Sequence, residues 1–223
     1  MIHMLEMKIK EIFQEIESRG FKVFFKHFLD NIWSNKRILI YKYKNNFENT
    51  KFVQNNDVKF FELSAEKDQI FFDALVSAWP KELEQYKNSE YLKSYLLHRV
   101  RNGERCIIIS SLNNQIIGSV WISKVGTLLL KIGISNNKND VTLKSFFVTH
   151  SMRGKGIGKL LLRMAVDVAL NDGASDVYSF IYPDRMESVI VHQGVGFTML
   201  GTIKTETKFF VEKTTFLETN GRY

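Results

Sequence analysis

Residues 145–171, SFFVTHSMRGKGIGKLLLRMAVDVALN, contain the pattern that decides the fold. The stretch opens with the apolar, β-prone run Phe146–Val148, and a short polar turn follows it. After the glycine-rich run RGKGIG (residues 153–158), apolar residues recur at spacings of three and four, which is typical of an amphipathic helix. The sequence therefore predicts a strand, a glycine-rich turn and a helix in that order.

The predicted turn has the properties of an anion-binding loop. Glycine lets the backbone approach a ligand closely, because it has no Cβ atom that could clash. A helix that begins here directs unpaired backbone N–H groups and the positive end of its dipole towards the turn. Cations are disfavoured at such a terminus, so Arg153 and Lys155 are best explained by a bound anion. This geometry suits a phosphate or pyrophosphate group.

The spacing of the glycines excludes two common phosphate-binding loops. A P-loop requires GxxxxGK[ST], and the chain has no such run. A dinucleotide-binding fingerprint requires GxGxxG, whereas Gly154, Gly156 and Gly158 follow the spacing GxGxG. The run from Arg153 to Gly158 instead resembles the [QR]-x-x-G-x-[GA] pyrophosphate loop of the GNAT N-acetyltransferase superfamily.

A second segment strengthens this resemblance. Residues 188–197, SVIVHQGVGF, resemble the family's S-x-x-L-[HY]-x-x-x-G-F segment. The two motifs follow the family's order, and one predicted strand at Val177–Tyr182 separates them. The resemblance covers about Val58–Phe216 and says nothing about residues 1–57.

The resemblance implies acetyl-CoA as cosubstrate and no metal. In the family, the strand before the loop holds the pantetheine arm and the thioester carbonyl, and a bulge splays this strand from the next one to open a cleft. The loop and the first helical turn then hold the pyrophosphate. The implied cofactor-binding residues are Phe146, Phe147, Val148, Arg153, Gly154, Lys155, Gly156, Ile157, Gly158, Lys159 and Ser188.

His192 is the predicted catalytic residue, because it matches the family position whose side chain protonates the leaving coenzyme A thiolate. An imidazole donates through one N–H when neutral and more readily as an imidazolium near its pKa of about 6.5. The alternative is a helix histidine that only hydrogen-bonds coenzyme A or packs beneath it. The general base is not identified, since Glu62, Asp184 and Glu187 match no motif, and a water chain or an amine that arrives neutral would also serve.

The chain is predicted to belong to the α/β class. The expected element order is βααβββαβαββ, with a GNAT-like mixed, mostly antiparallel sheet sandwiched by helices and preceded by an N-terminal helical extension. The predicted helices include Ala65–Ala78 and Ser89–Arg101, and Leu128–Ile134 is predicted as a strand. The strands Phe197–Glu206 and Lys208–Phe216 are expected to form a terminal hairpin.

Residues 1–57 are predicted to form an extension of two helices and a short strand, Arg37–Tyr43, ahead of an acetyltransferase domain at residues 58–223. The helix over Phe21–Trp33 has an apolar face and a basic back. Packing on the main domain is the favoured interpretation of residues 21–33, because most apolar stripes are core. A dimer seam and a contact with a membrane surface are the alternatives.

Composition limits the classes of site and partner. The single Cys106 excludes an intramolecular disulfide and a Cys-rich zinc site, and it is predicted to be a buried structural thiol. No signal peptide and no apolar run long enough to span a bilayer are visible, so a cytoplasmic location is predicted. The net charge of +7 is modest and coenzyme A is polyanionic, so no nucleic acid partner is expected.

The predicted function is acetyl-CoA-dependent N-acetylation of a small-molecule amine, such as an amino sugar or an amino acid, by direct transfer with His192 as general acid. The alternative is a non-catalytic acyl-CoA-binding module that docks on a membrane or a protein through its basic, Phe-rich N-terminal helices. The acceptor itself is not predicted. Aromatic residues that could shape its pocket are Trp79, Tyr86, Tyr91 and Tyr95, and each of them could equally be core.

Overall fold

A computed structural model describes residues 33–44, 58–63, 69–79, 89–208 and 211–219 of the chain. The helices predicted before Trp33, most of the segment between residues 44 and 57, and Tyr86 lie outside the described residues. The described strands are β1 (Trp33–Tyr43), β2 (Val58–Leu63), β3 (Arg105–Ser111), β4 (Ile116–Lys124), β5 (Val141–Val148), β6 (Val177–Ile181), β7 (Phe197–Lys208) and β8 (Val211–Glu218). The described helices are α1 (Gln69–Ala78), α2 (Ser89–Arg101), α3 (Thr127–Lys131), α4 (Ile157–Asn171) and α5 (Met186–Gln193).

The described strands form one eight-stranded sheet in the order β2-β3-β4-β5-β6-β1-β7-β8. Neighbouring strands are antiparallel except β5 and β6, which are parallel. Helices α4 and α5 pack on one face of the sheet, and α1, α2 and α3 pack on the other. The predicted α/β class and the mixed, mostly antiparallel sheet between helices are therefore confirmed.

Strand β1 has a different place from the one that the sequence suggested. The short strand at Arg37–Tyr43 was assigned to the N-terminal extension, whereas β1 lies inside the sheet and pairs antiparallel with both β6 and β7. Its side chains belong to the core on both faces of the sheet: Ile40 is 0% exposed on one face and Tyr41 is 2% exposed on the other. A strand's own sequence gives its period but not its distant partners, so local patterning could not show this insertion.

The prediction of a strand at Leu128–Ile134 is wrong. Residues Thr127–Lys131 form the short helix α3, which ends near Gly133 at a φ of +71°. Only Leu129 of the three consecutive leucines is buried, against Ile40 and neighbouring core residues, while the other two are 38% exposed. A short apolar run without clear alternation does not distinguish strand from helix, and leucine is a good helix former.

Several other predictions are confirmed. Helix α2 has the predicted bounds Ser89–Arg101, and β7 and β8 form the predicted terminal hairpin. Cys106 is 0% exposed in β3, and burial raises the pKa of its thiol well above the ordinary value. The thiol is therefore a buried structural group, as predicted.

Candidate active site

A β-bulge interrupts strand β5 just before the glycine-rich loop. Ser119 of β4 is opposite Phe147 and Trp121 is opposite Lys144, so one residue of β4 faces two residues of β5. Ser145 lies in the bulge with a φ of +50°, which is uncommon for a residue other than glycine. Bulges bend a strand and increase its local twist, so this one redirects the second half of β5.

Arg99 of α2 holds the bulge in place. Its Nη1 donates a hydrogen bond of 2.9 Å to Ser145 Oγ, and its Nε donates one of 2.6 Å to Glu104 Oε2. The guanidinium also lies 4.1 Å from the centroid of the Trp121 ring, a cation–π contact. Arg99 is only 4% exposed, so these neutralising and hydrogen-bonding partners are what make its burial tolerable.

The parallel pairing of β5 with β6 is short. It extends from Val141–Leu143 to Val177–Ser179, after which β5 continues through Lys144–Val148 without a partner from β6. The two strands therefore separate beyond Leu143 and Ser179 and leave a cleft. Residues 144–148 still pair with β4, and the backbone edge that they turn away from β4 forms one wall of this cleft.

The glycine-rich loop lies at the end of the same wall. A 3-10 turn at His150–Met152 follows β5, and Gly154 and Gly156 then adopt φ values of +77° and +79°. A Cβ added at either glycine would meet nothing within 4 Å, so the loop is open on that side. The left-handed conformation is what requires glycine at these two positions.

Helix α4 begins directly after Gly156, whose hydrogen side chain cannot cap it. The Leu160 N–H makes the first helical bond, 3.1 Å long, to the Gly156 carbonyl. The N–H groups of Ile157, Gly158 and Lys159 precede that bond and belong to the unsatisfied first turn. The loop therefore lies at the positive end of the helix dipole with backbone donors left unpaired, and its binding of an anion stays a prediction.

The charged residues of the loop are exposed and differ in what they contact. Arg153 donates from Nε to the Val148 carbonyl at 3.1 Å, which ties the loop to the end of β5. Lys155 Nζ lies 3.7 Å from Met152 Sδ, and Lys159 lies against Gly194 at the end of α5. These cations surround the first turn of α4 and add positive potential to it.

The three predicted strand residues alternate between the two faces of the sheet. Phe146 packs over the first turn of α4, since a Cβ at Gly158 would lie 3.2 Å from its Cζ. Phe147 is 4% exposed and packs on the opposite face of the sheet, with its ring 5.5 Å from that of Trp79. Val148 is buried in the core beneath α4. Phe146 and Val148 lie on the α4 and α5 side, with Val148 buried, so Phe147 could contribute to a site on that side through its backbone alone.

His192 is 2% exposed, and both of its ring nitrogens are engaged. Nδ1 lies 2.7 Å from the Ser188 carbonyl, which can only accept, so Nδ1 carries the proton. Nε2 lies 2.8 Å from Ser179 Oγ and accepts the hydroxyl proton in this tautomer. Burial lowers the pKa of His192 to about 4, against a smaller opposing effect of the Ser188 carbonyl, so the ring is neutral at pH 7.

Ser188, predicted to bind the cofactor, lies one helical turn before His192 in α5. Its carbonyl fixes the imidazole tautomer, and its hydroxyl is 3.4 Å from Nδ1. The carboxylates that could have served as a base do not bond to the imidazole. Glu62 pairs with Arg105 through a 2.5 Å contact on the edge strand β2, and Asp184 and Glu187 are exposed.

Two contributors were missed by the sequence reasoning, Ser179 and Arg99. Ser179 had a detectable signal, because it occupies an inward position between Val177 and Ile181 in an otherwise apolar alternation. A polar residue at a core position of a strand needs a partner, which the sequence alone did not name. Arg99 gave no such signal, since a basic residue in the last turn of a helix is common at the surface.

No group of three or more His, Cys, Asp or Glu side chains in the described ranges is placed to hold a metal ion. None of the helices in the part of the chain that the structure describes combines the length and apolar composition that crossing a bilayer requires.

A sequence model of the acetyltransferase (GNAT) family matches residues 68–197, which include the bulged strand, the glycine-rich loop and His192. The chain belongs to this family. It is therefore an acyltransferase by family, and acetyl-CoA is the family's usual cosubstrate. A search of curated protein sequences found no match.

Solved structures of this acetyltransferase family share the fold at low sequence identity. A GNAT-family acetyltransferase from Colwellia psychrerythraea has a TM-score of 0.57 and 15% identity, and the alignment covers 81% of this chain and 59% of that one. An aminoglycoside N-acetyltransferase in complex with CoA has a TM-score of 0.52 and 18% identity over 63% of this chain and 88% of that one. An aminoglycoside acetyltransferase from an uncultured soil metagenomic sample, in complex with trehalose, has a TM-score of 0.50 and 19% identity over the same shares.

Proposed function

We propose that this acetyltransferase moves the acetyl group of acetyl-CoA directly to the amine of a small-molecule acceptor, such as an amino sugar or an amino acid. The observation that carries the proposal is the cleft between β5 and β6, which has the open, cation-lined loop of residues 153–159 at one end. The buried His192 lies on the same side, with its ring 5.8 Å from that of Phe146.

The loop would hold the pyrophosphate. The N–H groups of Ile157, Gly158 and Lys159 supply donors, and the exposed side chains of Arg153 and Lys155 supply charge. Oxygens of a phosphate accept such donors at a helix N-terminus without any side-chain cap. The open space at Gly154 and Gly156 supports this role, because nothing else occupies it in the described residues.

The backbone edge of residues 144–148 that faces away from β4 would hold the pantetheine arm. This part of β5 lacks a partner from β6, so the N–H and C=O groups that face away from β4, apart from the Val148 carbonyl that Arg153 bonds, are available to another extended chain. Pantetheine contains two amides, which can pair with a strand edge as a peptide does. The arm would then run from the loop towards Ser179, where the strands meet.

The acceptor would approach from the face of the sheet that carries α1 and α2 and place its amine in the cleft between β5 and β6. Trp79 and Phe147 pack together there, directly behind the bulge. The fold shared with two aminoglycoside acetyltransferases is consistent with a small amine as acceptor. A cytoplasmic location stays a prediction from the sequence.

The test is an acetylation screen. The purified protein is incubated with acetyl-CoA and one amine per reaction, the amines being glucosamine, lysine, spermidine, tyramine and kanamycin. Thiol release is measured by colorimetry, and acetylated product is measured by mass spectrometry. Cys106 is fully buried, so the folded protein should contribute little thiol signal of its own. We expect at least one amine to be acetylated. Acetyl-CoA binding without acetylation of any amine would instead favour the non-catalytic acyl-CoA-binding alternative.

A further inference from the structure

We propose that Ser179 and His192 form a proton relay, in which the Ser179 hydroxyl contacts the reacting atoms and His192 holds the proton behind it. The inference rests on the proposed acetyl transfer. It supplies a base that Glu62, Asp184 and Glu187 do not, and it places Ser179 as a catalytic residue through which His192 acts.

Ser179 lies where the cleft begins. It is the last residue of β6 that pairs with β5, opposite Leu143, and beyond this pair the strands separate. Alternation along β6 places Val177, Ser179 and Ile181 on the face that α4 and α5 cover. The hydroxyl is therefore at the closed end of the cleft, on the same side as Phe146 and the glycine-rich loop.

The hydrogen bonds set the direction of the relay. The Ser188 carbonyl keeps the proton of His192 on Nδ1, and this leaves the Nε2 lone pair to accept the Ser179 hydroxyl at 2.8 Å. A serine hydroxyl that donates to a neutral imidazole is the arrangement in which the imidazole can remove a proton through the oxygen. At rest, the pair is therefore poised to accept a proton from a group that contacts Ser179 Oγ.

The surroundings of the imidazole are apolar or neutral. The rings of Phe146 from β5 and Phe197 from β7 make edge-to-face contacts with it, with centroids 5.8 and 5.2 Å away. Ser179 from β6 and Ser188 from α5 supply its hydrogen bonds, and the α4 cation Lys159 lies against Gly194 instead. A relay in such a site exchanges its proton with the substrate rather than with bulk water.

The transfer balances without a further reagent. The amine lone pair attacks the thioester carbonyl carbon, and Ser179 Oγ takes a proton from that nitrogen while its own proton passes to His192 Nε2. The carbon–sulfur bond then breaks with its electron pair on sulfur, and the imidazolium returns the proton through Ser179 Oγ to the thiolate. The products are the acetylated amine and coenzyme A, and Ser179 and His192 regain their starting forms.

One hydroxyl can serve both steps because of the geometry of the intermediate. Nitrogen and sulfur are both bonded to the same tetrahedral carbon, so a group that hydrogen-bonds one of them lies close to the other. This also removes the difficulty of His192 as a direct acid. Its resting N–H is committed to the Ser188 carbonyl, so the proton that it donates must first arrive from the amine.

The test compares Ser179→Ala with Ser123→Ala, using the panel amine that the wild type acetylates fastest, or acetyl-CoA hydrolysis if water is the fastest acceptor. Ser123 is a matched control, because it is 3% exposed in β4 and its hydroxyl has no partner in the described residues. We expect Ser179→Ala to lower kcat by roughly 10²-fold and to remove the acidic limb of the pH–rate profile, in which protonation of His192 at low pH stops the relay. Acetyl-CoA affinity should stay unchanged, and Ser179→Thr, which keeps a hydroxyl, should recover part of kcat.

A kcat for Ser179→Ala equal to that of Ser123→Ala would overturn the relay and leave the pair as a structural contact. If Ser179→Ala does not fold, the turnover of Ser179→Thr and Ser179→Cys is measured instead. Only a side chain that carries a proton and reaches His192 Nε2 should retain turnover.

A second measurement needs no acceptor. Nitrogen-15 NMR of histidine-labelled protein, with His192→Gln for assignment, should show His192 protonated on Nδ1 and not titrating between about pH 5 and 8. A proton on Nε2 would contradict the relay in any variant. Failure of the wild type to bind acetyl-CoA would instead reject the proposed function while leaving the tautomer result intact.

Discussion

The glycine-rich loop of residues 153–159 and the Ser179–His192 pair lie on the same side of the sheet but are built in opposite ways. The loop consists of consecutive residues, most of which are exposed, and its chemistry is that of backbone N–H groups and cations. The pair joins a strand and a helix, and both residues are at most 3% exposed. The proposed anion site is therefore encoded by consecutive residues, whereas the proposed proton transfer depends on side chains that the fold brings together and buries.

This difference decides whether the ordinary pKa of a side chain still applies in the folded protein. His192 has a pKa of about 6.5 as a free side chain, and the sequence supports either a neutral or a charged ring near pH 7. In the fold, burial lowers that pKa to about 4 and the hydrogen bonds select one tautomer. The hydrogen-bond donors of the loop do not change protonation state on folding, because they are backbone N–H groups.

The largest expected effect on stability comes from removing the support of the bulge. Arg99→Met should lower the free energy of unfolding by about 3–5 kcal/mol, because it leaves Glu104 and Ser145 without their buried cation. It should also weaken acetyl-CoA binding, since the bulge shapes the cleft. Denaturant unfolding and calorimetry measure both quantities.

The matched control is Lys93→Met in the same helix, where a half-exposed pair with Asp73 is worth less than about 1 kcal/mol. Equal losses for the two variants would show that Arg99 acts only as a surface charge.

The next effect separates the buried pair from the loop by pH. The folded-state pKa of His192 is below its unfolded value, so the neutral ring contributes stability that is fully present above about pH 6.5 and is lost as the pH falls through about 4. Relative to His192→Gln, the wild type should lose roughly 3 kcal/mol of unfolding free energy across that range. Urea unfolding of both proteins at several pH values measures the difference. A constant difference would mean that His192 titrates normally in the folded chain.

The smallest expected effect concerns a single charge of the loop. Lys155→Ala should raise the Kd for acetyl-CoA by about two- to fivefold at low ionic strength, because one exposed cation near a helix terminus contributes about 0.3–1 kcal/mol. The effect should fall in high salt, since exposed charges are screened. Lys138→Ala, an exposed lysine in the turn before β5, is the control. A salt-independent loss would place Lys155 in a buried contact rather than in the loop's field.

The part of the fold that the sequence predicted is the part whose signals are local. The strand-turn-helix of residues 145–171 and the helix Ser89–Arg101 follow from periodicity and glycine spacing, and the structure confirms them. The position of β1 between β6 and β7 could not be predicted in this way, because its partners are far away in the sequence. The helix at Thr127–Lys131 was missed because three leucines in a row fit either element.

The residues of the candidate site also separate into those with a local sequence signal and those that depend on tertiary packing. The loop glycines and His192 were identified as motif residues, and the left-handed φ values of Gly154 and Gly156 explain why glycine is needed there. The partners of His192 and the positive φ of Ser145 depend on tertiary packing and are visible only in the fold. The assignment of individual residues to coenzyme A stays a prediction.

The most direct test of acetyl-CoA binding at the loop is calorimetric titration of wild type, Gly156→Trp and Gly103→Trp. Gly103 is the control, because its φ of +76° and its open surroundings match those of Gly156, so the two variants carry the same backbone strain. We predict that wild type and Gly103→Trp bind acetyl-CoA with similar affinity and that Gly156→Trp does not bind it. Equal binding by all three proteins, or none by the wild type, would contradict the account.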